Sequence, residues 1–459
     1  MNILEQYQFW GEKEQHNTFF NNLLLFQATL EINDLILLSG SYIRVRYKGK
    51  LQKIKDIDFD LKNKLQRKYI KVNQNDPAFE EQYERFEKNL EILQRIQKSL
   101  SLIITQEYID GFIAKFTNST QQEKLFGEGQ LDSSISTSSS NFRVNIAFRD
   151  EGDTVSPFIV IRKISKRPYT LQQMNINDEI LKQFKAGSGL ILISGPTGSA
   201  KSSTLTAILD YYNKNEYKNI ITLEDPIEFF WKESSWDKSI ILQREIWKTV
   251  GSYSEGIKAA LRENPDIIII GEMRDRESVE MMIEAANTGH LVIATGHVKS
   301  TTEIINRVLG FFDGPKSKEI ALKLSSALNF VMNQRLVVDN TGTYRVLYEW
   351  LNTQIWGVPN LIKDNNLWDV RQSMKELDEH GYCPHKTLSE SFFELIVLGL
   401  LSSQESLEKY INESPKLFEQ ELDLYVKRYC EEKGLELQEV QKLIEKQDIL
   451  YRKKKEQWL

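Results

Sequence analysis

Leu190-Ile191-Leu192-Ile193-Ser194-Gly195-Pro196-Thr197-Gly198-Ser199-Ala200-Lys201-Ser202-Ser203 is the stretch on which the reading of the chain turns. An aliphatic run, a glycine-bearing loop and a Lys-Ser pair follow one another, and Leu205, Ile208 and Leu209 then recur at helical spacing. The run predicts a buried strand and the later pattern a helix. In a strand–loop–helix of this kind the loop and first-turn N–H groups converge, and the helix dipole favours negative charge there. That cradle suits a triphosphate such as ATP. Lys201 would reach its β- and γ-phosphates, and the Ser202 hydroxyl would hold Mg²⁺. Gly195, Pro196, Thr197, Gly198, Ser199, Ala200, Lys201, Ser202 and Ser203 are the candidate nucleotide-binding residues. Ala200 departs from the usual pattern, which has glycine before the lysine. Its Cβ is expected to crowd the phosphates or the loop, because glycine is used where backbone approaches a ligand closely.

Downstream, aliphatic runs at 220–223, 267–270 and 291–295 alternate with helical patterns. Continuous aliphatic strands predict a parallel sheet covered on both faces. After about residue 316 the pattern reads as helical, and the last sixty residues are charged and amphipathic. Upstream, residues 30–55 suggest strands: Leu35 to Leu38, a Ser39-Gly40 turn, Tyr42 to Val45, then Lys48-Gly49-Lys50 before Leu51. A helix follows, with Asp76 as cap, Pro77 in the first turn, and Phe79, Tyr83, Phe86, Leu90, Leu93 and Ile96 as a core-facing stripe. The Ser/Thr run from Ser133 to Ser140 reads as a loop, and residues 142–162 as strands. Lys166-Arg167-Pro168 reads as a hinge.

The whole chain is consistent with this. Its 459 residues suggest two or three domains. A net charge of −6 gives no electrostatic footprint for nucleic acid, so direct nucleic-acid contact is not expected. Cys383 and Cys430 are the two cysteines, too few for a disulfide framework or a four-cysteine zinc site. There is no basic-then-apolar leader at the N-terminus, and the densest apolar run, 392–401, falls well short of the ~20 residues of a membrane span. No transmembrane segment and a cytoplasmic location are therefore expected.

Three further segments carry chemistry. Glu224-Asp225-Pro226-Ile227-Glu228 gathers carboxylates at the end of a strand. Asp266 to Ile270 is a buried strand that ends in Gly271-Glu272, followed by Met273-Arg274-Asp275. Thr288-Gly289-His290 and Thr295-Gly296-His297 bracket another strand with histidines. Each alone reads more readily as capping acids, a solvated turn or satisfied histidines than as a functional group. Their order and spacing behind a phosphate-binding loop argue against coincidence.

Together they resemble the Walker A, Asp box, Walker B and His box of the bacterial secretion ATPase superfamily, which includes type II and type IV secretion and type IV pilus motors, with the pilus retraction ATPases most similar. Asn141-Phe142-Arg143-Val144-Asn145 and Val160-Ile161-Arg162 resemble its arginine-bearing strands. Ser325 to Leu336 resembles the helix and turn that follow. Gly357-Val358-Pro359-Asn360-Leu361-Ile362-Lys363 resembles the retraction motors' C-terminal signature. The resemblance covers about residues 25–405. Gly296 and Val298 depart from the usual His box, and the tail beyond 405, with Arg452 to Lys455, has no counterpart. That basic end is expected to be a solvated helix end.

The resemblance implies an α/β fold: an N-terminal PAS-like α+β domain (1–165, with a helical insertion at about 62–130), a hinge, a RecA-like P-loop ATPase domain (172–345), and a helical C-terminal region (346–459). It implies a homo-hexamer with ATP between the two domains, docked on an inner-membrane platform protein and driving pilus retraction. Glu272 would orient the attacking water, Glu224 would lie on the metal side with Ser202, Arg143 and Arg162 would act as charge-stabilising fingers, and His297 would sense or link sites. Lysine, metal, carboxylate and arginines are the parts phosphoryl transfer requires. Two alternatives stand: a type IV secretion or conjugation ATPase, and a nucleotide-binding ring subunit with little turnover. A DNA translocase is disfavoured by the acidic balance.

Overall fold

The computed structural model describes residues 15–30, 32–47, 50–69, 79–137, 140–164, 168–232, 235–354, 357–366, 385–409 and 415–456. The chain divides into two compact units: Met1–Pro168 with Leu223–Ser235 and Gln243–Gly256, and Tyr169–Thr222 with Trp236–Leu242 and Ile257–Leu459. The expected hinge at Lys166-Arg167, the cap Asp76-Pro77, the Lys48-Gly49 turn and Cys383 lie outside the described residues.

The first unit is a sheet with helices. Its elements are α1 (Gln15–Leu30), β1 (Asp34–Leu38), β2 (Ser41–Tyr42), β3 (Arg44–Tyr47), β4 (Lys50–Lys53), α2 (Leu61–Tyr69), α3 (Phe79–Leu100), β5 (Ile103–Ile104), α4 (Gln106–Phe116), α5 (Ser119–Glu128), β6 (Gln130–Ser136), β7 (Asn141–Asp150) and β8 (Val155–Ile164). Six strands form one sheet in the order β4-β3-β1-β8-β7-β6, antiparallel throughout. The helical stripe of α3 faces the core: Phe86, Leu93 and Ile96 are buried in one cluster with Phe20, Leu23 and Phe26 of α1. Nonpolar area removed from water at roughly 25 cal/mol per Å² drives this packing.

The Ser/Thr run was expected to be a loop, and its first half is instead strand β6. Ser133 and Ser134 are buried because Glu245, itself 1% exposed, replaces water as their partner. Ser133 Oγ donates to Glu245 Oε1 at 2.9 Å, Ser134 N to the same oxygen at 3.2 Å, and Ser134 Oγ to Oε2. Buried hydroxyls require such partners, and nothing in the local composition reveals one 111 residues away.

The second unit contains α6 (Asp178–Phe184), β9 (Gly189–Ser194), α7 (Lys201–Asn215), β10 (Asn219–Glu224), β11 (Ile240–Glu245), α8 (Tyr253–Ala260), β12 (Ile267–Ile270), α9 (Arg276–Asn287), β13 (Leu291–Gly296), α10 (Thr301–Leu309), α11 (Gly314–Ala327), β14 (Leu328–Val338), β15 (Tyr344–Asn352), α12 (Val358–Lys363), β16 (His385–Lys386), α13 (Leu388–Val397), α14 (Ser403–Lys409), α15 (Pro415–Lys433) and α16 (Leu437–Glu456), the last residues of β10 and β11 and the start of α8 being grouped with the first unit. The sheet order is β11-β10-β12-β13-β9-β14-β15-β16. Strands β12, β13, β9 and β14 pair in parallel. Every residue of β9, β12 and β13 is buried, as aliphatic strands covered on both faces should be.

Residues 328–352 correct the expectation of a helical pattern after 316. They form the antiparallel hairpin β14–β15, so the segment expected to be helix and turn is helix only to Ala327, and strand runs through residue 346, where a helical region was expected to begin. Asn329 and Asn333-Gln334-Arg335 interrupt the hydrophobic alternation that marks a strand. They are tolerated because nearby loops supply their hydrogen-bond partners. Beyond the hairpin the chain is helical, and Phe392, Phe393, Ile396, Phe418, Leu422, Val426, Cys430 and Val440 close on Val337 and Leu347 of the hairpin. Cys430 is thus a core thiol. Among the described residues no helix is long and apolar enough to cross a membrane.

Candidate active site

The glycine-bearing loop leaves β9 at Ser194 and enters α7 at Lys201. Gly198 has φ +80° and Ala200 φ +69°, so both backbones are left-handed. Glycine tolerates that region freely, whereas an L-residue there costs about 1–2 kcal/mol. A glycine at position 200 is therefore favoured by the turn itself, before any phosphate is considered, and alanine takes the same conformation at that cost. As N-cap, Ala200 brings no side-chain hydrogen bond to the first turn of α7. The Ser199 hydroxyl is buried and has no hydrogen-bond partner among the described residues. An uncapped helix start, a lysine and an orphaned hydroxyl in one loop fit a bound phosphate.

Lys201 is buried, and its Nζ donates to the carbonyls of Gly195 (2.8 Å) and Pro196 (3.2 Å) and lies 3.2 Å from His297 Nδ1. An ammonium facing Nδ1 requires that nitrogen to accept, which leaves the imidazole proton on Nε2. Nε2 is 3.4 Å from Glu272 Oε1, and Arg274 Nε donates to Glu272 Oε2 at 2.8 Å. Burial and the Lys201 charge hold the His297 imidazole below its ordinary value, with Glu272 opposing them. Strand ends explain the convergence. Parallel β9 and β13 pair Ser194 with Gly296, so His297 emerges beside the loop. β12 ends next to β13, and Met273 N donates to Thr295 O at 3.0 Å, bringing Glu272 alongside. His290 stands apart, at the C-terminal end of α9, where Nδ1 is 3.2 Å from Ala285 O.

The other candidates belong to the first unit. Arg143 of β7 and Arg162 of β8 are directly opposite in the ladder. Like charges so placed repel, and carboxylates offset them. Glu228 Oε1 lies 3.2 Å and Asp132 Oδ2 3.8 Å from Arg143, while Asp34 Oδ1 accepts from Arg162 Nε at 2.7 Å. Glu224 accepts from Gln243 Nε2 at 3.0 Å. Glu245, to which sequence reading gave no role, accepts from Ile227 N at 3.2 Å and so anchors the Glu224–Glu228 segment. Burial alone distinguishes it, and a glutamate among Gln243, Arg244 and Lys248 carries no sign of burial.

Comparison with known proteins then places the chain. Residues 80–375 match the model of the type II/IV secretion system protein family. The type IV pilus retraction ATPase PilT of Pseudomonas aeruginosa is 34% identical over 268 residues, 58% of this chain and 75% of that protein. The twitching motility protein of Neisseria gonorrhoeae is 31% identical over 277 residues, 60% of this chain and 71% of that one. The solved structure of the pilus retraction motor PilT with bound ADP superposes with a TM-score of 0.67 at 27% identity, covering 87% of this chain and 98% of its own. The chain belongs to the type II/IV secretion system protein family, the secretion ATPases.

Proposed function

We propose that this chain is a ring-forming motor that hydrolyses ATP to drive retraction of a type IV pilus, working as a homo-hexamer from the cytoplasmic side of an inner-membrane platform protein. The linked side chains Lys201, His297, Glu272 and Arg274 at the head of the phosphate loop carry the reading. Retraction is inferred from relatives whose names describe it and from the Asn360-Leu361-Ile362 segment.

Lys201 exchanges two loop carbonyls for phosphate oxygens. The loop N–H groups from Thr197 to Ser203, at the N-terminus of α7, hold the rest of the anion. Ser202 and Glu224 are the residues that would hold Mg²⁺, and the ion would supply positive charge to offset that of the phosphates. Glu272 orients and deprotonates the attacking water, and His297, neutral and hydrogen-bonded to Lys201, reports the lysine's position to Glu272. Arg143 and Arg162 stabilise charge on the leaving phosphates. Their side chains are 38% and 64% exposed, and such exposed ion pairs are worth only about 0–1 kcal/mol, so an incoming phosphate can displace the carboxylates. The left-handed Ala200 favours a second reading, a nucleotide-binding ring subunit with little turnover.

Glu272→Gln tests the assignment. The variant should bind ATP as tightly as the wild type and lose at least ~100-fold in turnover, since the amide cannot accept the water's proton. Fluorescence titration with a labelled ATP and phosphate-release rates supply the two numbers. Undiminished turnover would move the catalytic role away from Glu272.

A further inference from the structure

Strand β14 carries three consecutive polar residues, Asn333, Gln334 and Arg335, through the second unit. Asn333 and Gln334 are 0% exposed. Buried amides are costly unless their partners are in place, and here the partners lie on two loops of the candidate active site. Asn333 Nδ2 donates to Ser194 Oγ at 2.8 Å, where the phosphate loop begins, and to Val298 O at 3.1 Å, directly after His297. Gln334 Nε2 donates to the carbonyl of Ser199 within the phosphate loop. Arg335 donates to Asn333 Oδ1 at 3.3 Å and to Lys299 O at 2.8 Å. Across the ladder, Asn333 faces Glu349 of β15, whose carboxylate accepts from Thr301 N at 2.6 Å and Thr301 Oγ1 at 2.7 Å.

One hairpin therefore grips both the phosphate loop and residues 298–301. The fit at the loop is close: a Cβ on Gly195 would meet Gln334 O and Ser199 Oγ at 2.5 Å. Gln334 Oε1, like Ser199 Oγ, is buried with no partner among the described residues. A core built only for packing would place apolar side chains at these positions of a strand. Amides aimed at two loops that carry Lys201 and His297 serve geometry.

We propose that Asn333 and Gln334 are positioning residues that hold the phosphate loop and the His297 loop as one body, with Arg335 extending the same frame. Movement of either loop then displaces the other, and the Lys201–His297–Glu272 linkage keeps its spacing through nucleotide exchange. The proposal rests on the ATPase reading above.

The test uses the full chain and three variants of similar shape: Gln334→Met, Asn333→Leu and Arg335→Met. Affinity for a fluorescent ADP, steady-state phosphate release and thermal melting are measured on each. Gln334→Met should weaken nucleotide binding roughly ten-fold or more, because small misplacements of a site carry costs of that order. Arg335→Met should lower kcat at unchanged affinity, because its contacts lie on the His297 side. Asn333→Leu, which loses both contacts, should change both. Gln334→Glu adds a readout that packing cannot mimic. Only a protonated carboxyl can donate to the Ser199 carbonyl, so its affinity should recover as pH is lowered while that of Gln334→Met does not. If the two buried substitutions prevent folding, the half-buried Arg335→Met and the pH response of Gln334→Glu decide the matter. Variants that melt earlier yet keep wild-type affinity and kcat overturn the proposal. A wild type that neither binds nor hydrolyses ATP overturns the ATPase reading itself.

Discussion

At Ala200 a single Cβ separates this loop from its usual form. The structure puts the cost in the backbone, at φ +69° and ψ +29°, where alanine is penalised by about 1–2 kcal/mol. Glycine would relieve that penalty but loses about 0.4–1 kcal/mol through the greater freedom of the unfolded chain. The first term is the larger, so Ala200→Gly should raise stability by roughly 0.5–1 kcal/mol, read as an upward shift of the urea midpoint, and turnover should rise if the relaxed loop seats phosphate better. An unchanged midpoint and rate would mean that the surrounding loop has already absorbed the strain. This residue was visible in the sequence as an exception to a pattern, and its physical reason was not, because φ is a property of the folded turn. The histidines teach the same lesson. His290 and His297 sit in like Thr-Gly-His segments and only the family resemblance singles out His297, while the parallel register of β9 and β13 gives the physical reason by bringing it to Lys201.

Among the elements, the hairpin β14–β15 departs most from what the sequence suggests. Strands β9, β12 and β13 were legible because a strand buried on both faces is an uninterrupted aliphatic run. Strand β14 was not, because its polar residues satisfy loops distant in sequence, and β6 was misread for the same reason. The hairpin tip depends on Asp339, whose carboxylate accepts from Thr341 N, Thr343 N and Arg345 Nε, each at 2.9 Å. Burial pushes this carboxyl up, and the hydrogen bonds from Thr341, Thr343 and Arg345 outweigh it and hold it at about 2. That lies below the unfolded value of about 3.9. The stabilisation is therefore complete above the unfolded value and is lost as pH falls towards 2. Asp339→Asn should lower stability at pH 7 by about 1–3 kcal/mol, and the gap to wild type in urea midpoints should narrow as pH falls from about 5 towards 2. A gap independent of pH would assign the effect to packing.

In the molecule as a whole, the C-terminal helices are integral to the second unit, since they close the core over Val337 and Leu347. Phe418 is 1% exposed within that core. Phe418→Ala should cost about 3–5 kcal/mol, seen as loss of hydrogen-exchange protection in α15 and α16, whereas a tail that is merely appended would leave protection in the rest of the second unit untouched. The order of the motifs was readable from the sequence because each motif sits at a strand end, whereas the grouping of residues 223–235 and 243–256 with the first unit was not. The carboxylate that anchors the Glu224–Glu228 segment was not, because Glu245 is marked only by its burial. What the whole arrangement is for rests on Lys201. The most direct measurement is phosphate release from ATP by the wild-type chain and by Lys201→Ala at matched concentration, with circular dichroism confirming equal folding. A motor of this family should hydrolyse ATP, and the variant should fall to background with its spectrum unchanged. Equal rates in the two proteins, or no hydrolysis by the wild type under any nucleotide or Mg²⁺ condition, would contradict it.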